Sequence, residues 1–108
     1  HDCFTATELV LYEDLGFCDR GTAWKEVQAG TFALDGELPV NTDGGLKSFG
    51  HPVGASGLRM HFECWLQLRG EAEERQVTSG RTKALVHNLG GYPGEMLSFV
   101  SVLGSERD

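Results

Sequence analysis

The tightest constraint on how this chain can fold is a run of glycines at its middle. Five of the fifteen glycines fall in the seventeen residues NTDGGLKSFGHPVGASG, Asn41 to Gly57. Glycine reaches backbone conformations closed to other residues and lets a second group approach the chain closely. Such a stretch interrupts regular structure, so helices and strands are expected on either side of it. After it, Leu58 to Arg69 reads as a helix, apolar on more than one side and hence well buried, that Gly70 stops. Before it, Thr5 to Gly16 reads as a helix with Leu9, Val10, Tyr12 and Leu15 on a broad apolar face. Thr5 and Glu8 have the S/T-x-x-E spacing of a capping box, and Gly16 can take the left-handed position that ends a helix.

The remainder is less periodic. From Cys18 to Thr42 short apolar pieces alternate with Gly21, Gly30, Gly36 and Pro39, which predicts a long connection holding one short strand. Glu71 to Arg75 is a charged surface turn. Lys83–His87 and Met96–Leu103 read as strands, separated by a turn region from Asn88 to Gly94. The order is helix, loop, helix, strand, strand, an α/β chain with no internal repeat and no visible domain boundary. With 108 residues it can build at most one core.

Composition removes several functions. Acids outnumber bases 16 to 9, a net charge of −7, and the bases form no stripe that could neutralise a row of phosphates. Nucleic acid and anionic membranes are therefore not expected partners. No apolar stretch approaches the ~18 residues of a membrane helix. Three cysteines (Cys3, Cys18, Cys64) without CxxC pairing fit a reducing compartment better than a disulfide framework. His61 and Cys64 share a helix face, but no second pair at zinc spacing accompanies them, so no metal is assigned. His61 reads as a satisfied or surface histidine, Cys64 as a small core residue and Cys18 as structural.

Three places can carry chemistry. His51 is clamped between Gly50 and Pro52 just before a helix, with Gly54 close by. It is either a rigid N–H donor to developing negative charge, or proton carrier, or else an exposed histidine in a glycine-rich turn. Gly50 and Gly54 are the positions where a substrate could lie against bare backbone. His1 and Cys3, in HDCF, precede a helix start; the thiol is either a proton carrier or nucleophile, or a buried core cysteine. Asn88, Gly90 and Gly91 follow a strand, where a tight turn either aims successive N–H groups into an oxyanion hole or merely joins two strands.

HDCF (His1 to Phe4), NTDGGLKSFGHPVGASG and HNLGG (His87 to Gly91) occur in the order of the thiolase superfamily, with GHP fifty residues after HDCF. Over essentially its whole length the chain resembles the C-terminal part of these enzymes, most closely the sterol-carrier type and its bacterial and archaeal relatives. The resemblance implies a layered αβα domain with a mixed sheet and buried helices, of which 1–108 is a late segment. It also implies that the N-terminal half with the nucleophilic cysteine is absent from this chain, leaving the isolated piece inactive. The implied reaction is Claisen condensation or thiolytic cleavage of acyl-CoA thioesters. Coenzyme A enters as substrate, and no cofactor is bound covalently. By position, His1 and His51 hold the thioester enolate oxygen and His51 helps activate the nucleophile. Most thiolases have an asparagine where His1 stands and a cysteine where Asn88 stands; the sterol-carrier type uses the cysteine of HDCF, here Cys3, as the α-proton acid/base. Backbone N–H groups near Gly90 match a second oxyanion hole, although Tyr92-Pro93 departs from the usual turn. Implied partners are the rest of a thiolase chain, a second or fourth copy (homodimer or homotetramer) and, in some relatives, a small acyl-CoA-binding protein. Relatives lacking the nucleophile act as retro-aldolases or as non-catalytic partner subunits. The absence of a targeting tripeptide in Ser105 to Asp108 makes a bacterial or archaeal cytoplasm the expected location.

Overall fold

Residues 1–105 are described by the computed structural model; the last three residues of the stretch read for a targeting tripeptide, 106–108, lie outside the described residues. The chain divides into two units, His1–His51 and a second from Pro52 onward. Together they hold four helices and one antiparallel two-stranded sheet, the α/β class expected. The wider mixed sheet is not formed by the described residues.

The first unit is built on α1, Thr5–Asp14, and α2, Ala23–Ala29. Its core is Tyr12, Ala23 and Phe32, with Leu9, Phe17, Cys18, Leu38 and Val40 packed around them. The Tyr12 and Phe32 rings lie 4.0 Å apart at their centroids. Burying each such ring removes apolar surface worth about 1.5–3 kcal/mol from water. Cys18 thus packs as the structural residue expected.

Two local expectations fail here. The capping box does not form, since Phe4 occupies the N-cap in extended conformation with no side-chain cap bond. Glu8 is used elsewhere, accepting hydrogen bonds from the Tyr12 hydroxyl and the Lys47 ammonium. In place of a short strand between Cys18 and Thr42 there is α2. Its sequence AWKEVQA is rich in good helix formers, and Gly30 at φ 80 closes it in the left-handed region. Gly21 and Gly30, read as interruptions, are boundaries. The Glu13 carboxylate accepts the Ala23 N–H at 3.2 Å and so caps α2 from α1. Hydrogen bonds from the Gly21 and Ala23 backbone hold that carboxyl below its usual range. Beyond α2 the chain folds back on itself through Leu38 N–H to Thr31 O (2.9 Å) and Val40 N–H to Phe32 O (3.1 Å). Gly36 permits this, because a Cβ there would meet the Gly30 carbonyl oxygen at 2.3 Å. A last short helix, α3, spans Gly45–Phe49.

The second unit sets α4, Ser56–Arg69, on a hairpin of β1, Lys83–Tyr92, and β2, Glu95–Gly104. Pairing runs without a break from Lys83↔Gly104 to Tyr92↔Glu95, which leaves Pro93-Gly94 as the loop. Gly94 turns the chain at φ 90. The Pro52 carbonyl accepts the Ala55 and Ser56 N–H groups and starts α4, and Gly70 at φ 73 ends it. Packing is mainly against β1. His61 fastens the helix to β2: its Nδ1–H donates to the Gly57 carbonyl at 2.7 Å, so Nε2 accepts the Ser101 hydroxyl at 2.6 Å. His61 is thus a satisfied histidine. At the far end Arg75 pairs with Glu63 at 3.0 Å, and the Gln67 amide binds the Arg75 carbonyl and the Val77 N–H. The 3-10 turn Glu73–Arg75 is held to α4 by these bonds.

Contrary to expectation, α4 is not well buried. Leu58, Phe62 and Trp65 are 77%, 56% and 44% exposed, because the hairpin covers one side of the helix and the apolar residues occupy more than one. No helix among the described residues is long and apolar enough to cross a membrane.

Candidate functional site

His1 of HDCF and His51 of GHP meet within the first unit. The His1 and His51 rings meet edge to face, centroids 5.1 Å apart and planes at 86°. The contact places the two imidazoles side by side, one presenting its edge to the face of the other. Gly50 makes the last step into His51 at φ 102 and ψ 164, a backbone state that an L side chain rarely adopts. A side chain at Gly50 would meet no atom of this chain, so within the fold glycine is required there for its conformation.

Asp2, between His1 and Cys3, is the group that joins the two motifs. Its side chain is 2% exposed. Oδ1 accepts the Leu46 N–H at 2.7 Å and Oδ2 accepts the Lys47 N–H at 3.4 Å, both in the first turn of α3. Gly45 must be glycine, since a Cβ on it would stand 2.4 Å from Oδ2. Reading the sequence alone passes over Asp2. The available signal was an acid next to a histidine with a Gly-Gly pair elsewhere, and nothing local connects positions 44 residues apart. Cys3 is half-buried and in no disulfide, at the entry to α1.

In the second unit the expectation for Asn88, Gly90 and Gly91 is corrected. These residues are not a turn; they lie within β1, opposite Phe99, Leu97 and Met96. Successive N–H groups of a strand point to opposite edges, so they do not gather into one concavity. Asn88 lies against the start of α4, where a Cβ on Gly57 would come within 3.1 Å of its amide nitrogen. Gly91, at φ 128, brings its backbone so near Glu95 that a Cβ would overlap that carbonyl oxygen at 2.2 Å. Gly54 is exposed, and a Cβ there meets open space. His87, which the motif reading did not single out, is 6% exposed, and its Nε2 lies 2.9 Å from the Ser98 hydroxyl. Burial pushes this imidazole below its ordinary pKa, towards the neutral form. Burial likewise raises the Cys64 thiol, away from reactivity. Among the described residues no three His, Cys, Asp or Glu side chains gather as a metal site would require.

Comparison with known proteins gives a consistent answer. The profile of the family described as thiolase C-terminal domain-like matches residues 1–105. An acetyl-CoA acetyltransferase of Methanothermobacter thermautotrophicus is 45% identical over 94 residues, 87% of this chain and 24% of that protein. Sterol carrier protein 2 of Bos taurus is 50% identical over 91 residues, 83% of this chain and 16% of that protein. An acetyl-CoA acetyltransferase of Methanocaldococcus jannaschii is 39% identical over 111 residues, 99% of this chain and 28% of that protein. The chain therefore spans between 16% and 28% of the length of these relatives.

Proposed function

The chain belongs to the thiolase C-terminal domain-like family, and on that premise we propose that it works as the C-terminal segment of a thiolase-like acyltransferase acting on acyl-CoA thioesters. The reaction is Claisen condensation or its thiolytic reverse. The observation that carries this reading is the edge-to-face pair of His1 and His51, drawn from two motifs fifty residues apart.

The difficult step in such chemistry is removal of a proton from the carbon next to a thioester carbonyl. The carbonyl oxygen gains charge as the proton leaves, and fixed donors aimed at it lower the barrier by ~3 kcal/mol each. Two imidazoles in contact can each turn an N–H towards one such oxygen, and Gly50 carries the chain into the second without side-chain bulk beside it. Cys3 is the proposed acid/base for the α-proton. Gly50 and Gly54 would leave room for the thioester against the backbone.

The test is His51→Ala in the whole acyltransferase that carries this segment. Condensation or thiolysis is expected to fall by at least ~10²-fold, the loss seen when one oxyanion donor is removed. An unchanged rate would remove His51 from the chemistry.

A further inference from the structure

We infer that Asp2 is a positioning residue for this site: its buried carboxylate grips the first turn of α3 and thereby sets where His51 stands against His1. The inference rests on the catalytic reading of the two histidines and adds a residue that never touches substrate.

The argument begins with the weakness of α3. Five residues make little more than one helical turn, about 7.5 Å long, and a helix this short does not hold itself together in water. Its opening N–H groups have no partner inside the helix. Here they are met from outside: Gly45 N–H by the Asp43 carboxylate at 3.0 Å, Leu46 and Lys47 N–H by the two oxygens of Asp2. Leu46 is buried as well, 4% exposed, so the grip is formed away from water, where losing a charged acceptor is most damaging. A second tie, the ion pair of Lys47 with Glu8, joins the same turn to α1.

Position then passes along the element. The segment held by Asp2 at Leu46 runs through one turn to Gly50, whose N–H closes back on the Leu46 carbonyl at 3.0 Å, and the next residue is His51. The other end of the link is covalent, because Asp2 is the neighbour of His1. One carboxylate thus ties His51, through a helical turn, to the residue that follows His1. Gly45 completes the device by leaving space for the carboxylate to reach the helix. A displacement of about 1 Å in a catalytic group costs on the order of 10²-fold in rate.

The experiment is a double-mutant cycle in the whole acyltransferase, with acetoacetyl-CoA and coenzyme A as probes. Asp2→Ala alone should lower kcat by ~10²-fold with KM unchanged, because Asp2 places a donor and binds nothing. In the His51→Ala background the same change should cost less than ~3-fold further, since its route of action is already gone. Losses that multiply would overturn the proposal, as would a rise in KM with kcat retained. Should Asp2→Ala fail to fold, Asp2→Asn carries the same cycle: it keeps an oxygen for the Leu46 N–H but faces Lys47 with a donor, and a partial kcat loss is expected. If His51→Ala alone keeps full rate, the catalytic reading fails and this inference falls with it. If His51→Ala collapses the rate while Asp2→Ala does not, only the role of Asp2 is refuted.

Discussion

Tyr12 shows how a single side chain ties stability to pH. Its ring is in the core and its hydroxyl donates to Glu8 at 2.6 Å. Burial first, and that hydrogen bond second, keep the phenol protonated well above its ordinary value near ~10. The unfolded chain ionises first, so the folded state binds the proton more tightly between the two values. Its contribution is therefore complete below about pH 10 and is lost as pH rises beyond that point. Thermal unfolding followed from neutral to strongly alkaline pH should show the midpoint falling. Tyr12→Phe should flatten part of that fall, which separates it from lysine titration in the same range. A slope identical in the two proteins would assign the alkaline loss to other groups. At this scale the sequence was informative for His1 and His51, whose motifs carry their own spacing. It was silent on Asp2, whose partners Leu46 and Lys47 become neighbours only through the folding of everything between.

At the scale of elements, the bond from His61 to Ser101 makes a checkable claim about how α4 is attached. The imidazole is used on both nitrogens, so removing the hydroxyl leaves one polar atom with nothing to accept from. Ser101→Ala should lower stability by ~1 kcal/mol, measured by denaturant unfolding, with no change in helix content. An unaltered midpoint would mean that water replaces the hydroxyl at no cost. Element legibility followed the strength of the local signal. Helix α4 and both strands were visible from their apolar runs and from Gly70. Helix α2 was not, because its flanking glycines look the same whether they break a helix or bound one. The Thr5–Glu8 box misled because Lys47 and Tyr12, distant or differently placed, compete for Glu8. The stretch Asn88 to Gly91 read as a turn on composition, yet cross-strand pairing extends β1 over it, and Gly91 fits because Glu95 comes so close.

For the molecule as a whole, the exposed apolar surface is what sets its behaviour in water. Phe4, Val53, Leu58, Tyr92, Leu97 and Val102 are each more than 60% exposed, and apolar side chains occupy both faces of the hairpin. Uncovered apolar area favours association, and a two-stranded sheet leaves unpaired edges that can add strands. The chain on its own should self-associate as concentration rises, seen as growing mass in sedimentation velocity or light scattering. A single monomeric species over the whole range would show that these side chains tolerate water. The uncovered hairpin also has a consequence for the life of the polypeptide in a cell. Sticky side chains on both sides of one ribbon are what holdase chaperones and quality-control proteases seize, so turnover of this segment would be governed by how soon something else shelters it.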